Sequence, residues 1–155
     1  MFRTHLVLGF LTGLIFVTYV NIPYPLIFVL LVALFSGLPD IDHPKSTYGR
    51  KLWFLSIPIS LISKHRGIFH SIFPPLIAFF VLSNSDFAFI GLAVLVGYLS
   101  HLLGDALTKQ GINFLHPISR FEIRGPLTTG AMFEALIFYV ILALDIFYTM
   151  KIVGF

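Results

Sequence analysis

The chain has 155 residues, of which 57% are hydrophobic and only 11% charged, with 18 Phe and a formal charge of +3. A soluble globular chain is roughly a quarter charged, so this composition excludes a water-soluble domain and indicates an integral membrane protein. The apolar runs are continuous rather than alternating, which excludes a β-barrel. With no Cys, any metal must be held by His, Asp, Glu or backbone oxygen.

The spacing predicts a first span from about Thr4 to Val20, without a small-x-small cleavage site behind it, so it reads as a retained helix rather than a signal peptide. Asn21 to Pro25 is an uncharged turn. A short second span runs from about Leu26 to Leu38 and ends at Pro39. Bracketed by Pro39 and Pro44, Asp40-Ile41-Asp42 is expected to be extended, with both carboxylates pointing one way. Trp53 to Ser63, broken by Pro58, reads as a short interfacial helix. A third span, about Ile68 to Leu82, is expected to kink at Pro74-Pro75. The fourth is Phe87 to Leu107 and the fifth about Ala131 to Val153, separated by a polar loop from Lys109 to Gly130. The expectation is an all-α integral membrane protein, a bundle of about five transmembrane helices plus one short interfacial helix, forming a single domain over residues 1–155.

With five spans, one side receives Arg3, Lys45, Arg50, Lys51, Lys64, Arg66, Lys109, Arg120 and Arg124, and the other only Lys151. The positive-inside rule makes the first side, and the N-terminus, cytoplasmic. All six His, together with Asp40, Asp42, Asp105 and Glu134, then fall at or near one depth on that side, Glu122 lies on that side in the loop, and only Asp86 and Asp145 lie elsewhere.

Within the fourth span, His101 and Asp105 are four apart and share a helical face, beside Gly97 and Gly104, which leave room. Two metal-binding side chains on a membrane helix are costly unless they are used. Each ionisable residue has a simpler reading taken alone. Asp40 and Asp42 fit a solvated loop end, His101 with Asp105 a pinned helix pair, and His5, His65 and His70 an interface. Glu134 fits a helix N-terminus. Convergence at one depth favours a metal site made of Asp40, Asp42, His65, His70, His101 and Asp105, with His5 as an additional ligand. Mixed imidazole and carboxylate donors suit zinc first, then manganese or iron, as one or two ions.

Several blocks carry a resemblance: Thr4-His5; Leu38-Pro39-Asp40-Ile41-Asp42-His43-Pro44 with Ser46, Gly49 and Arg50; His65-Arg66-Gly67-Ile68-Phe69-His70-Ser71; and Gly97 to Asp105 followed by Thr108 and Gly111. In this order they resemble the YdjM-type inner-membrane family of membrane-bound metal-dependent hydrolases. The resemblance covers most of the chain and implies metal and membrane more directly than it implies a reaction. That family usually has Thr where Phe69 stands and often Pro where Lys109 stands. A looser likeness, in the His-x-x-x-Asp spacing and the paired His, is to zinc-dependent phospholipase C enzymes.

The expected function is a metal-dependent hydrolase at the cytoplasmic face of the inner membrane, acting on a phosphoester such as a phospholipid. Arg66, Asp42 and His70 are the candidate catalytic groups. Arg66 would clamp a phosphate, while Lys45, Arg50, Lys51 and Lys64 would draw an anionic headgroup or simply set topology. Membrane lipid is the expected partner, and nucleic acid is not expected. The rival readings are a metal-ion or proton transporter or channel, which Asp145 would suit, and a non-catalytic scaffold docking a partner through residues 40–66.

Overall fold

The computed structural model describes residues 2–63, 66–130 and 132–153, with Val153 described through its backbone alone. The chain forms α1 (Phe2–Tyr19), α2 (Pro25–Phe35), α3 (Thr47–Lys51), α4 (Trp53–Ile62), α5 (Phe73–Ser83), α6 (Ala88–Ala106) and α7 (Met132–Val153), with 3-10 turns at Leu38–Asp42 and Ile68–His70. Among the described residues there is no strand, only two isolated bridges, Thr108 with Leu127 and Ile112 with Ile123. The fold is all-helical, as expected.

Among the described residues, four segments are long and apolar enough to cross a bilayer: Phe2–Tyr19, Pro25–Asp42, Ala88–Ala106 and Met132–Ile152. The expected third span is shorter than the sequence suggests. Pro74 and Pro75 lie in the first turn of α5, where a missing N–H costs nothing, so they start a helix of 11 residues rather than kink a longer one. Ile68–His70 is a separate turn ahead of it. Helix α4 forms as expected, with Pro58 inside it and Trp53 exposed.

Helix α6 is central: α1, α2 and α5 pack on it, while α7 packs on α1. Small residues permit the approach. A Cβ on Gly9 would fall 2.6 Å from the Ser36 side chain, one on Gly13 3.0 Å from the Val29 backbone, and one on Gly97 would collide with the Val32 carbonyl. Such contacts between backbones are how helices associate where lipid is as apolar as the side chains. Phe28, Val32, Ala93 and Val96 form the buried centre of the α2–α6 seam.

The segment after α6 folds back under the bundle. Lys109 N–H donates to the Leu127 carbonyl at 2.8 Å, and Ile112 and Ile123 exchange backbone hydrogen bonds at 2.9 Å. This fixes Gly111, with its φ of +69°, directly beside Arg66, which donates to its carbonyl at 2.6 Å.

Candidate functional site

Five titratable side chains from four separate stretches meet at one end of the bundle. His5 comes from the first turns of α1, Asp40 from the 3-10 turn after α2, His70 from the turn before α5, and His101 and Asp105 from the last turns of α6. All but Asp40 are buried, and Asp40 is partly so.

Asp105 Oδ2 lies 3.6 Å from His101 Nε2 and 3.7 Å from His70 Nε2. Asp40 Oδ1 lies 3.8 Å from His70 Nε2 and 3.9 Å from His101 Nε2. Asp105 Oδ1 faces the other way, 3.5 Å from His5 Nε2. These separations exceed a hydrogen bond. They are close to the roughly 3.4 Å between two donors that share a small tetrahedral cation. His5–His101–Asp105 and Asp40–His70–His101 form two overlapping trios of donor atoms, and either could hold an ion.

The outer atoms of the rings fix which nitrogen faces the cluster. His101 Nδ1 is 2.7 Å from the Ser36 carbonyl, which can only accept, so Nδ1 carries the proton and Nε2 presents a lone pair. Among the described residues that buried Nε2 has no hydrogen-bond partner, and neither has His5 Nδ1. His70 Nδ1 lies 3.1 Å from Asp42 Oδ2, which turns Nε2 toward Asp40 and Asp105. A carboxylate or carbonyl behind an imidazole is the usual support of a ligating His. The His5 and His101 rings stack, with centroids 3.9 Å apart.

Asp42 therefore stands behind His70 rather than beside Asp40. The expected extended segment is a 3-10 turn, in which residues two apart point to different sides, whereas a strand would align them. Asp42 also accepts from the Arg66 backbone N–H at 3.2 Å. Arg66 has a φ of +61° and directs its guanidinium to Asp105 Oδ1 at 2.9 Å and to the Gly111 carbonyl.

Among the described residues, three carboxylates, Asp40, Asp42 and Asp105, meet one guanidinium, which leaves a local excess of negative charge. His70 registers it. Burial opposes its charged form, but Asp40, Asp42 and Asp105 hold its pKa up at about 9. A proton there stands where a cation would be equally favoured.

The remaining predicted residues distribute as follows. His65 and Lys64 lie outside the described residues. His43 and His116 join neither trio. Glu134 accepts from the Gly130 N–H at 2.5 Å and from Thr4 Oγ1 at 3.2 Å, the role of a carboxylate at a helix N-terminus. Ser36 was not anticipated. Its carbonyl orients His101, and its hydroxyl donates to the His5 and Ala33 carbonyls at 2.9 and 2.7 Å. Nothing in the sequence marks it beyond a small polar residue closing an apolar run.

A sequence model of the YdjM inner membrane protein family matches residues 1–154. The chain belongs to the YdjM inner membrane protein family. It is similar to the inner membrane protein YdjM of Escherichia coli strain K12 and of Shigella flexneri, 43% identical to each over 96 residues, which are 58% of this chain and 48% of those proteins. It is also similar to the uncharacterized protein YvsG of Bacillus subtilis strain 168, 39% identical over 103 residues, 64% of either chain. The match thus spans about half the length of the YdjM relatives. No solved structure matches. With several apolar helices of membrane length, this member of the YdjM family is a multi-pass membrane protein.

Proposed function

We propose that this YdjM-family protein is a metal-dependent hydrolase that works on a phosphoester at the cytoplasmic face of the inner membrane. The observation that carries the reading is the bare, buried Nε2 of His101, aimed at two carboxylates 3.6 and 3.9 Å away, too far to be hydrogen-bonded and well placed to share a cation. An orphaned buried nitrogen costs about 1–3 kcal/mol, and membrane surroundings do not lower that cost. The cost disappears when the nitrogen ligates an ion.

His5, Asp40, His70, His101 and Asp105 would be the ligands, with zinc the first choice and manganese or iron next. Asp105 turns one oxygen to His5 and the other to His70 and His101, so it would serve an ion on either side. A divalent ion held there would supply Lewis acidity and an activated water. The chain's own groups do the rest. Asp42 and the Ser36 carbonyl hold His70 and His101 in the ligating tautomer. Arg66 steadies Asp105 and places a positive charge beside the site, where an anionic ester needs one. The excess of Lys and Arg on the same side supports a site in the cytoplasmic leaflet.

The test is elemental analysis of purified protein beside His101→Ala and Asp105→Ala. The wild type is expected to carry at least one divalent ion per chain and each variant less than a tenth of it. Equal stoichiometry in all three would remove the site. A phosphodiesterase assay on the same samples separates an enzyme from a transporter.

A further inference from the structure

Beside the His/Asp cluster lies a cavity of about 90 Å³ between α1, α6, α7 and the segment that follows α6. His5, Leu8, Gly104, Leu127, Ile137 and Ile141 line it, and its walls are almost wholly apolar. Its volume exceeds that of one water-sized group by roughly six to nine times. A dry apolar void of this size next to a polar cluster is a structural cost unless something fills it.

His5 is the wall shared by the cavity and the cluster. Its Nε2 faces Asp105 at 3.5 Å, while its Nδ1 is buried, has no hydrogen-bond partner among the described residues and faces Gly104 on the cavity side. Gly104 keeps this side open, because a Cβ there would sit 3.0 Å from His5 Nδ1 and 3.1 Å from the Leu8 side chain. Thr4, Thr108, Thr128, Thr129 and Glu134 also line it, and Thr108 Oγ1 donates to the Asp105 backbone carbonyl at 2.8 Å. The cavity thus has a polar end at the cluster and an apolar body running between Leu8 and α7.

That polarity matches one class of ligand: an amphiphile with an ester head and a hydrocarbon segment directly behind it. We propose that the cavity is a chain-binding subsite, which takes the first few methylenes of an alkyl phosphoester while the head lies at the His5 side of the cluster. The inference rests on the hydrolase reading for the identity of the head, and on the cavity alone for the chain. An apolar pocket closed on one side by α7 favours a lipid-like substrate over a water-soluble phosphate monoester or a nucleotide. Each methylene that enters is expected to tighten binding about fourfold, with the gain ending near six carbons, where the space is full.

The experiment uses the purified full chain in detergent with a series of alkyl phosphonates of two to twelve carbons, one of them carrying a diazirine near the head. Photolysis is expected to label Leu8, Ile137 or Ile141, and unlabelled phosphonates are expected to compete more strongly as the chain lengthens to about six carbons. Ile141→Trp and Ile137→Phe, which fill the cavity from α7 without touching a ligand, are expected to cut labelling at least fivefold while metal content stays at the wild-type value. Labelling spread along the outer face of α7, insensitive to competitor and to both variants, would show annular lipid only and overturn the proposal. The hydrolase reading fails separately. Specific labelling with no phosphodiesterase activity under any divalent ion leaves the chain subsite standing without it, and turnover that ignores chain length leaves the hydrolase without the subsite.

Discussion

Helices α6 and α7 are alike in length and hydropathy, and both are long enough to cross a bilayer, yet they are used in opposite ways. Helix α6 is buried along most of one flank and lodges His101 and Asp105 among defined partners. Helix α7 is mostly exposed in the isolated chain, and its buried acid, Asp145, has an oxygen with no hydrogen-bond partner among the described residues. The difference is written in small residues. Helix α6 has glycines at 91, 97 and 104, whereas α7 has none and carries bulky Phe, Ile, Leu and Tyr instead. A groove for another backbone lets a helix bring polar groups into shared company, and a helix without one turns its side chains to lipid.

The contrast can be broken most directly at the glycines. Gly97→Leu on α6 is expected to destabilise the protein in detergent by about 1–3 kcal/mol through overpacking against α2. Ala135→Leu, exposed on α7, is expected to change stability by less than about 0.5 kcal/mol. Thermal unfolding of both variants in one detergent measures this, and equal losses would show that α7 packs as closely as α6. A second substitution sharpens the account of how α6 is served by its neighbours. Asp42→Asn is expected to weaken metal affinity about 10–100-fold while stoichiometry at saturation stays unchanged, because Asp42 supports His70 rather than standing among the five donors. Titration with a competing chelator reads it, and loss of an ion outright would place Asp42 among the ligands. An effect of the opposite sign is expected at Asp145 on α7. Asp145→Leu replaces a buried acid that the described residues leave unsatisfied, and is expected to raise stability by about 1 kcal/mol with metal content unaltered. A fall in stability would reveal a partner for that carboxylate.

The sequence discloses what depends on periodicity. The apolar runs locate α1, α2, α6 and α7, and the i, i+4 spacing puts His101 and Asp105 on one face. It is less informative where local rules compete. Pro39 is compatible both with an extended peptide and with the first turn of a 3-10 helix. The choice between them decides whether Asp42 stands beside Asp40 or behind His70. Pro74 and Pro75 pose the same ambiguity, since a kink and a helix start demand the same residue. Ser36 is illegible for another reason: it orients His101 through a main-chain carbonyl, a group every residue possesses. Gathering His5, Asp40, His70, His101 and Asp105 was readable only as a shared depth, while the pairing of each ring with its supporting group required the tertiary fold.

The five donors are contributed by segments a hundred positions apart, from residue 5 to residue 105. A growing polypeptide therefore displays His5 and Asp40 long before the helix that must meet them has left the ribosome. No shortened chain ending ahead of residue 105 contains the full constellation. If these donors hold the proposed ion, the capacity to capture it arises only after α6 has slotted between α1, α2 and α5, and the assembled bundle is the condition for loading.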